Sequence, residues 1–410
     1  MTAVPSRPPA TVRTVEIDPP GRGPLDLLPE HGGLAWMSGG NGLVGWGITA
    51  RLEVRGPDRF ARADAWWRAR VAGLEVEDAV GLPGCGPVAF GSFAFDGATA
   101  KSVVVVPKVV VGVRDGRWWV TTIGGGDQDP LPRAWSVPRP PGPVRESGGA
   151  LSPDDWMAAV GRAVGRIDAG EVGKVVLARD VVVRTDGRLD PRWPLHRLAA
   201  AYPSCWTFAV DGLLGATPEL LARLEGGRAY SRVLAGTLRR SGNPGEDARL
   251  AGSAKDVAEH GYGVRSVVEA LAPHCGAVHT DGPSILRLPN VLHLATDVTA
   301  EVTDGSTSLD LLASLHPSAA VCGSPTTTAR QVIRAVEGME RGRYAGPVGW
   351  MDAAGDGEWG IALRCAQVDP AAPDTLRLLA GCGIVAGSDP AAELAESEAK
   401  LVPMREALVP

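Results

Sequence analysis

Lysine is almost missing from this chain. The 410 residues include five, Lys101, Lys108, Lys174, Lys255 and Lys400, and arginine supplies the remaining positive charge. The formal net charge is −6 and no basic block interleaves with aromatics, which argues against nucleic acid as a partner. The strongest apolar run, 103–113, is broken by Pro107 and Lys108 and is too short to cross a bilayer, so no membrane association is expected. The six cysteines (Cys85, Cys205, Cys275, Cys322, Cys365, Cys382) contain no CxxC pair. That excludes the usual zinc and disulfide frameworks and points to reduced thiols in a cytoplasmic protein. There is no GxGxxG or P-loop sequence, no internal repeat, and no charged-then-apolar signal pattern at the start.

What is present is ordinary for a globular protein, with 44% hydrophobic and 21% charged residues. The length exceeds one typical core, so two lobes or one large domain are expected. Residues 1–25 are rich in Pro, Arg and Thr and read as a mobile tail. Residues 26–146 read mostly as short strands between Gly/Pro turns, with a helix over 59–74. The Pro/Gly-rich stretch 130–149 is the best internal linker, and 150–410 carries the motifs. Ser152, Pro153 and Asp155 are an N-cap, a first helical position and a capping-box residue. The spacing predicts long helices over 248–271 and 390–408, and strands over 174–183, 360–368 and 376–385. Strands dominate without regular βαβ alternation, which predicts an α+β fold with antiparallel sheets.

Within 174–183, Lys174 precedes the apolar run Val175-Val176-Leu177-Ala178. Alternation puts it on one face with Val176 and Ala178. Such a strand is buried, and an unpaired buried ammonium is costly. The lysine is therefore paired, or it works as a base, or it reaches past the strand end to water. Two predicted helices carry carboxylates three apart, Asp256/Glu259 and Glu393/Glu396, and residues at that spacing share a helix face. Facing each other, they would make an oxygen-rich site suited to Mg²⁺; separately, they are solvated faces. Gly236-Thr237 and Gly381-Cys382-Gly383 are small turns whose N–H groups suit a carboxylate, or merely serve the turn. Arg364, on an apolar strand, is a carboxylate clamp or a strand-end ion pair.

Taken in order, the segments GEVGKVVLARD, GATPELL, LAGT, SAKDVAEH, LPNVLHLATDV, HPSAAVCGSP, ERGRYAGPVGW, ALRC, GCGIVAGSDP and AESEAK resemble the chorismate-utilising enzymes, specifically the isochorismate synthases. The likeness runs from about Ser152 to the C-terminus, with PVAFGSFAFD as an earlier trace. It implies a single large domain with two packed antiparallel sheets, helices outside, and a deep Mg²⁺-dependent site. It implies Lys174 as general base and Glu219 as general acid. Glu259 and Glu396 would be magnesium ligands, with Asp256 and Glu393 in support. Asp256 stands where the family commonly has Glu, so its contact would be shorter or water-mediated. Gly236, Thr237, Tyr344, Arg364 and Gly383 would meet substrate carboxylates, His293 would lie beside the substrate ring, and Lys400 would neutralise the acidic cluster. Ala320 falls where isochorismate synthases have Ala and salicylate- or anthranilate-type relatives have Thr.

The implied reaction adds water at C2 of chorismate while the C4 hydroxyl leaves, which needs a base and an acid but no redox cofactor. The product would supply siderophore or menaquinone-type biosynthesis, and a monomer is expected. The alternative is a salicylate synthase, which goes on to release pyruvate. Anthranilate-type synthases use ammonia, which needs no lysine base. A non-catalytic chorismate-binding protein would leave the intact Lys174 and Glu219 unexplained.

Overall fold

The computed structural model describes residues 10–124, 130–131 and 136–409. Two large sheets form the core. Among the described residues, one has thirteen strands and the other nine. Every strand pair is antiparallel except Ala10–Ile17 beside Leu74–Asp78. The expected α+β architecture is what the chain adopts. The inner faces meet through Trp36, Phe90, Phe208, Leu220 and Trp359, all buried. The outer face of the larger sheet is covered by helices Arg192–Ala201 and Pro390–Leu408 through Leu195, Leu198, Leu401 and Met404.

The supposed tail is a correction. Residues 1–9 lie outside the described residues, but Ala10–Ile17 is a strand inside the larger sheet and Pro24–Leu27 is a short 3-10 helix. The strand holds because Val12 and Thr14 alternate inward. Thr14 Oγ1 pairs with Thr121 Oγ1 at 2.8 Å and accepts Gly86 N–H at 3.0 Å. The stretch taken as a linker ends in an edge strand, Arg145–Gly148, hydrogen-bonded to strand Lys174–Arg184. Residues before and after it thus share one sheet.

Two other boundaries differ. The helix expected over 248–271 is two, Glu246–Ala251 and Ala254–Leu271, because Gly252 ends the first and Ser253 caps the second. The strand expected over 360–368 is also two, Gly357–Ile361 in the smaller sheet and Cys365–Val368 in the larger. The chain crosses between sheets at Ala362 to Arg364. The turn between strands Leu213–Thr217 and Leu220–Glu225 makes the same crossing and carries Glu219. Both crossings open on one pocket. Among the described residues no helix is long and apolar enough to cross a membrane.

Candidate active site

Strand Lys174–Arg184 forms one wall. It pairs with strand Thr375–Ile384 in a register that sets Val176 opposite Gly383. Lys174 is fully buried, and its Nζ lies 3.2 Å from Glu259 Oε1. The contact is an ion pair without hydrogen-bond alignment, since Nζ has no hydrogen-bond partner. Glu259 comes from helix Ala254–Leu271, which is seated by the next residue, His260, through its ring Nε2 to Thr296 Oγ1 at 2.7 Å. Gly383 makes room for the pair. A Cβ there would stand 2.0 Å from Glu259 Oε1 and 3.0 Å from Lys174 Cε.

Two further lysines repeat the pattern. Lys255 Nζ donates to Glu393, and Lys400 Nζ donates to Glu396 Oε1 at 2.6 Å and to Gly381 O at 2.9 Å. Burial works against the charge on Lys400, but Glu396 outweighs it and the ammonium is held above its usual range. Helix Pro390–Leu408 presents both glutamates, with Asp389 capping its start by accepting Ala392 N–H at 2.8 Å.

Glu219 is buried in the sheet-to-sheet crossing. Burial pushes its carboxyl up to about 8, against the pull of Lys174 and Arg364. A carboxylic acid there keeps its proton at neutral pH and can donate it. Arg364 occupies the other crossing with φ 48, an uncommon conformation for a non-glycine residue. Its Nη2 donates to His293 Nε2 at 3.0 Å. An arginine can only donate, so the His293 proton is on Nδ1, which is 3.1 Å from Thr237 Oγ1. Burial first, then Arg364 and Lys400, hold His293 well below its ordinary value, so the ring is neutral.

Gly236 is a bulge with φ 75 in strand Arg228–Arg239, and the shift it introduces sets Thr237 opposite His293. The Thr237 N–H is turned to Asp256 Oδ1 at 3.2 Å. Asp256 thereby braces the bulge from helix Ala254–Leu271.

One concave space collects Glu219, Thr237, Glu259, His293, Ala320, Tyr344, Arg364, Gly383 and Lys400. Lys174 borders it through its contact with Glu259, and Gly236 adjoins it through Thr237. Arg341, which the sequence reading passed over, also lines it. A glutamate four residues before an arginine in an apolar context, as at Glu337 and Arg341, is the signal that could have found it.

The acidic residues fit a hard cation. Donor atoms of Cys382, Glu393 and Glu396 all lie within 4.8 Å of one another. Glu393 is 1% exposed and its Oε2 is buried without a partner. Burial pushes Glu396 up despite Lys400, and the charges of Glu393 and Glu259 add to the rise. Mutual repulsion and an orphan oxygen are what a divalent cation would relieve. The Cys382 thiol is raised well above its ordinary value by burial and by both glutamates, so it keeps its proton and leaves oxygen as the ligand.

A fully buried lysine and a carboxyl that keeps its proton, beside an arginine-bearing pocket, suit a small anionic substrate. The chain belongs to the chorismate-binding enzyme family, whose model matches residues 137–409. It is 34% identical to the salicylate biosynthesis isochorismate synthase of Pseudomonas aeruginosa, covering 98% of this chain and 90% of that one. It is 39% identical to the isochorismate synthase DhbC of Bacillus subtilis, over 62% of this chain and 68% of the relative. The crystal structure of a putative 2,3-dihydroxybenzoate-specific isochorismate synthase from Bacillus anthracis superposes with TM-score 0.77 at 30% identity, covering 94% of this chain and 98% of that one. The menaquinone-specific isochorismate synthase MenF of Escherichia coli shares the fold, with TM-score 0.80 at 22% identity over 99% and 96% of the two chains.

The space at Gly383 generates a prediction. Gly383→Ala drives a methyl into Glu259 and Lys174, and displacement of reacting groups by about 1 Å costs roughly 10²-fold. Steady-state assays are expected to show kcat for chorismate consumption falling by about that factor, while circular dichroism of the folded protein stays as wild type.

Proposed function

We propose that the protein is an isochorismate synthase that interconverts chorismate and isochorismate. The observation that carries this reading is a fully buried lysine bordering, through Glu259, a pocket that holds a carboxyl near 8. In the forward direction, Lys174, once it has shed the proton that its contact with Glu259 favours, takes a proton from a water molecule as its oxygen bonds to C2. Glu219 gives its proton to the C4 hydroxyl, which leaves as water while the double bonds shift. One water enters and one leaves, so the product is an isomer of the substrate. In reverse, the two residues exchange roles.

Chorismate has two carboxylates. Arg364 is the cation for one, aimed by its bond to the neutral His293 ring. Glu259, Glu393 and Glu396 would hold a magnesium ion, which when bound neutralises the other carboxylate and the acidic cluster. Lys400 balances the charge that remains. Ala320 presents only a methyl group to the pocket, so nothing polar there holds the product for further elimination. This, with relatives named as isochorismate synthases, supports release of isochorismate over a salicylate synthase activity.

Chromatography of products from purified protein, chorismate and Mg²⁺ tests the reading. Isochorismate is expected as the main product, EDTA is expected to abolish its formation, and added Mg²⁺ to restore it. Salicylate and pyruvate as main products would transfer the assignment to a salicylate synthase.

The acid has a pH signature. Glu219 acts in its protonated form, so the forward kcat is present below its pKa and lost as pH rises through about 8. A pH–kcat profile is expected to show that falling limb. Glu219→Gln, which has no acid proton, is expected to cost about 10²–10⁴-fold across the whole range. A wild-type profile that stays flat well above this region would remove Glu219 from the acid role.

A further inference from the structure

Two arginines line the pocket, and their bonding separates them. Arg364 donates to a neutral histidine. Arg341 is 2% exposed and turned into the protein. It grips Glu337 with both arms of its fork, Nε to Oε1 at 2.7 Å and Nη2 to Oε2 at 2.6 Å. Nη1 donates to Val321 O at 3.0 Å, and Nη2 also donates to Val176 O at 2.7 Å. The guanidinium lies 4.2 Å from the Phe95 ring centroid. These bonds use four of the five N–H groups of the fork.

The acceptors explain why the pair is there. Strand Lys174–Arg184 has a gap along one edge. Strand Gly323–Ser324 pairs with it only at Lys174 and Val175, and strand Arg145–Gly148 only from Val181 to Arg184. The main-chain groups between them are buried and need partners. Val176 N–H reaches Cys322 O at 2.8 Å. Val176 O takes Arg341, Ala178 N–H donates to Glu337 Oε2 at 2.9 Å, and Ala178 O takes Trp156 Nε1 at 3.1 Å. Glu337 and Arg341 thus stand where a strand would, two residues from Lys174. The same guanidinium holds Val321, next to Ala320 on another wall of the pocket.

We propose that Glu337 and Arg341 are positioning residues: a buried strut that fixes the spacing between the Lys174 strand and the Ala320–Val321 turn, without binding substrate charge. The strut sets where the base meets the reacting carbon. This rests on the reading of the pocket as the chorismate site.

The test uses Arg341→Lys, which keeps the charge and loses the fork, and Glu337→Gln, which keeps the size and loses one acceptor. Steady-state kinetics on chorismate are expected to give kcat lower by about 10²-fold for Arg341→Lys, with KM within about threefold of wild type. Glu337→Gln is expected to show the same split and carries the test if the lysine variant is not recovered folded. A KM raised tenfold or more with kcat retained would make Arg341 a substrate ligand and overturn the proposal. A lower melting temperature with both constants unchanged would make the pair merely structural and overturn it too. Hydrogen exchange of peptides covering 174–180 and 319–323 needs no turnover. Faster exchange in both segments of either variant is expected, and unchanged exchange overturns the strut. If wild type does not consume chorismate, the functional reading fails, and the exchange result alone decides the strut.

Discussion

The contact between Lys174 and Glu259 is the constraint on which the site depends. A fully buried ammonium cannot persist alone, and removing one partner of a buried pair costs about 3–5 kcal/mol. The chain therefore has to bring helix Ala254–Leu271 against strand Lys174–Arg184, and Gly383 has to lack a side chain where they meet. The same logic extends outward. Four of the five lysines in the sequence pair with a glutamate, and three of these pairs stand at this wall: Lys174 with Glu259, Lys255 with Glu393, Lys400 with Glu396. The middle pair ties the two acidic helices together, so the wall that would hold a cation is braced by opposite charge.

Against this wall, Glu219 behaves differently from the other glutamates because of where the fold puts it. The chain leaves one sheet and enters the other at Glu219, deep between them, and burial keeps the acid protonated. It crosses again before Arg364, which points at His293. One carboxyl thus keeps its proton, while three others are compensated by lysine. Environment divides their chemistry, not residue type.

Much of this was legible in the sequence. The apolar run after Lys174 marked a buried strand, while the i,i+3 spacing of the carboxylates left solvated faces open and only the family resemblance placed Glu259, Glu393 and Glu396 at a site. Ser152 behaves as a helix cap, as its position suggested. What was hidden has physical reasons. The Pro/Arg/Thr composition before residue 25 masked the alternation of Val12 and Thr14. Arg364 lies in a break that apolar content reads as continuous strand. Asp256 and Glu259 share a helix face, yet the Gly236 bulge claims Asp256 and leaves only Glu259 for Lys174. The Glu337–Arg341 pair fills a gap in a sheet edge, and a sequence does not display which main-chain groups lack partners.

The central claim is that the buried lysine activates solvent water while the buried acid releases the C4 hydroxyl. Turnover of chorismate in ¹⁸O-labelled water, stopped early and read by mass spectrometry, tests it most directly. The account predicts isochorismate carrying one solvent-derived ¹⁸O in its C2 hydroxyl, with the departing C4 oxygen lost to water. Isochorismate with unlabelled oxygen at C2 would mean that the hydroxyl migrates without solvent, and would contradict the roles of both Lys174 and Glu219.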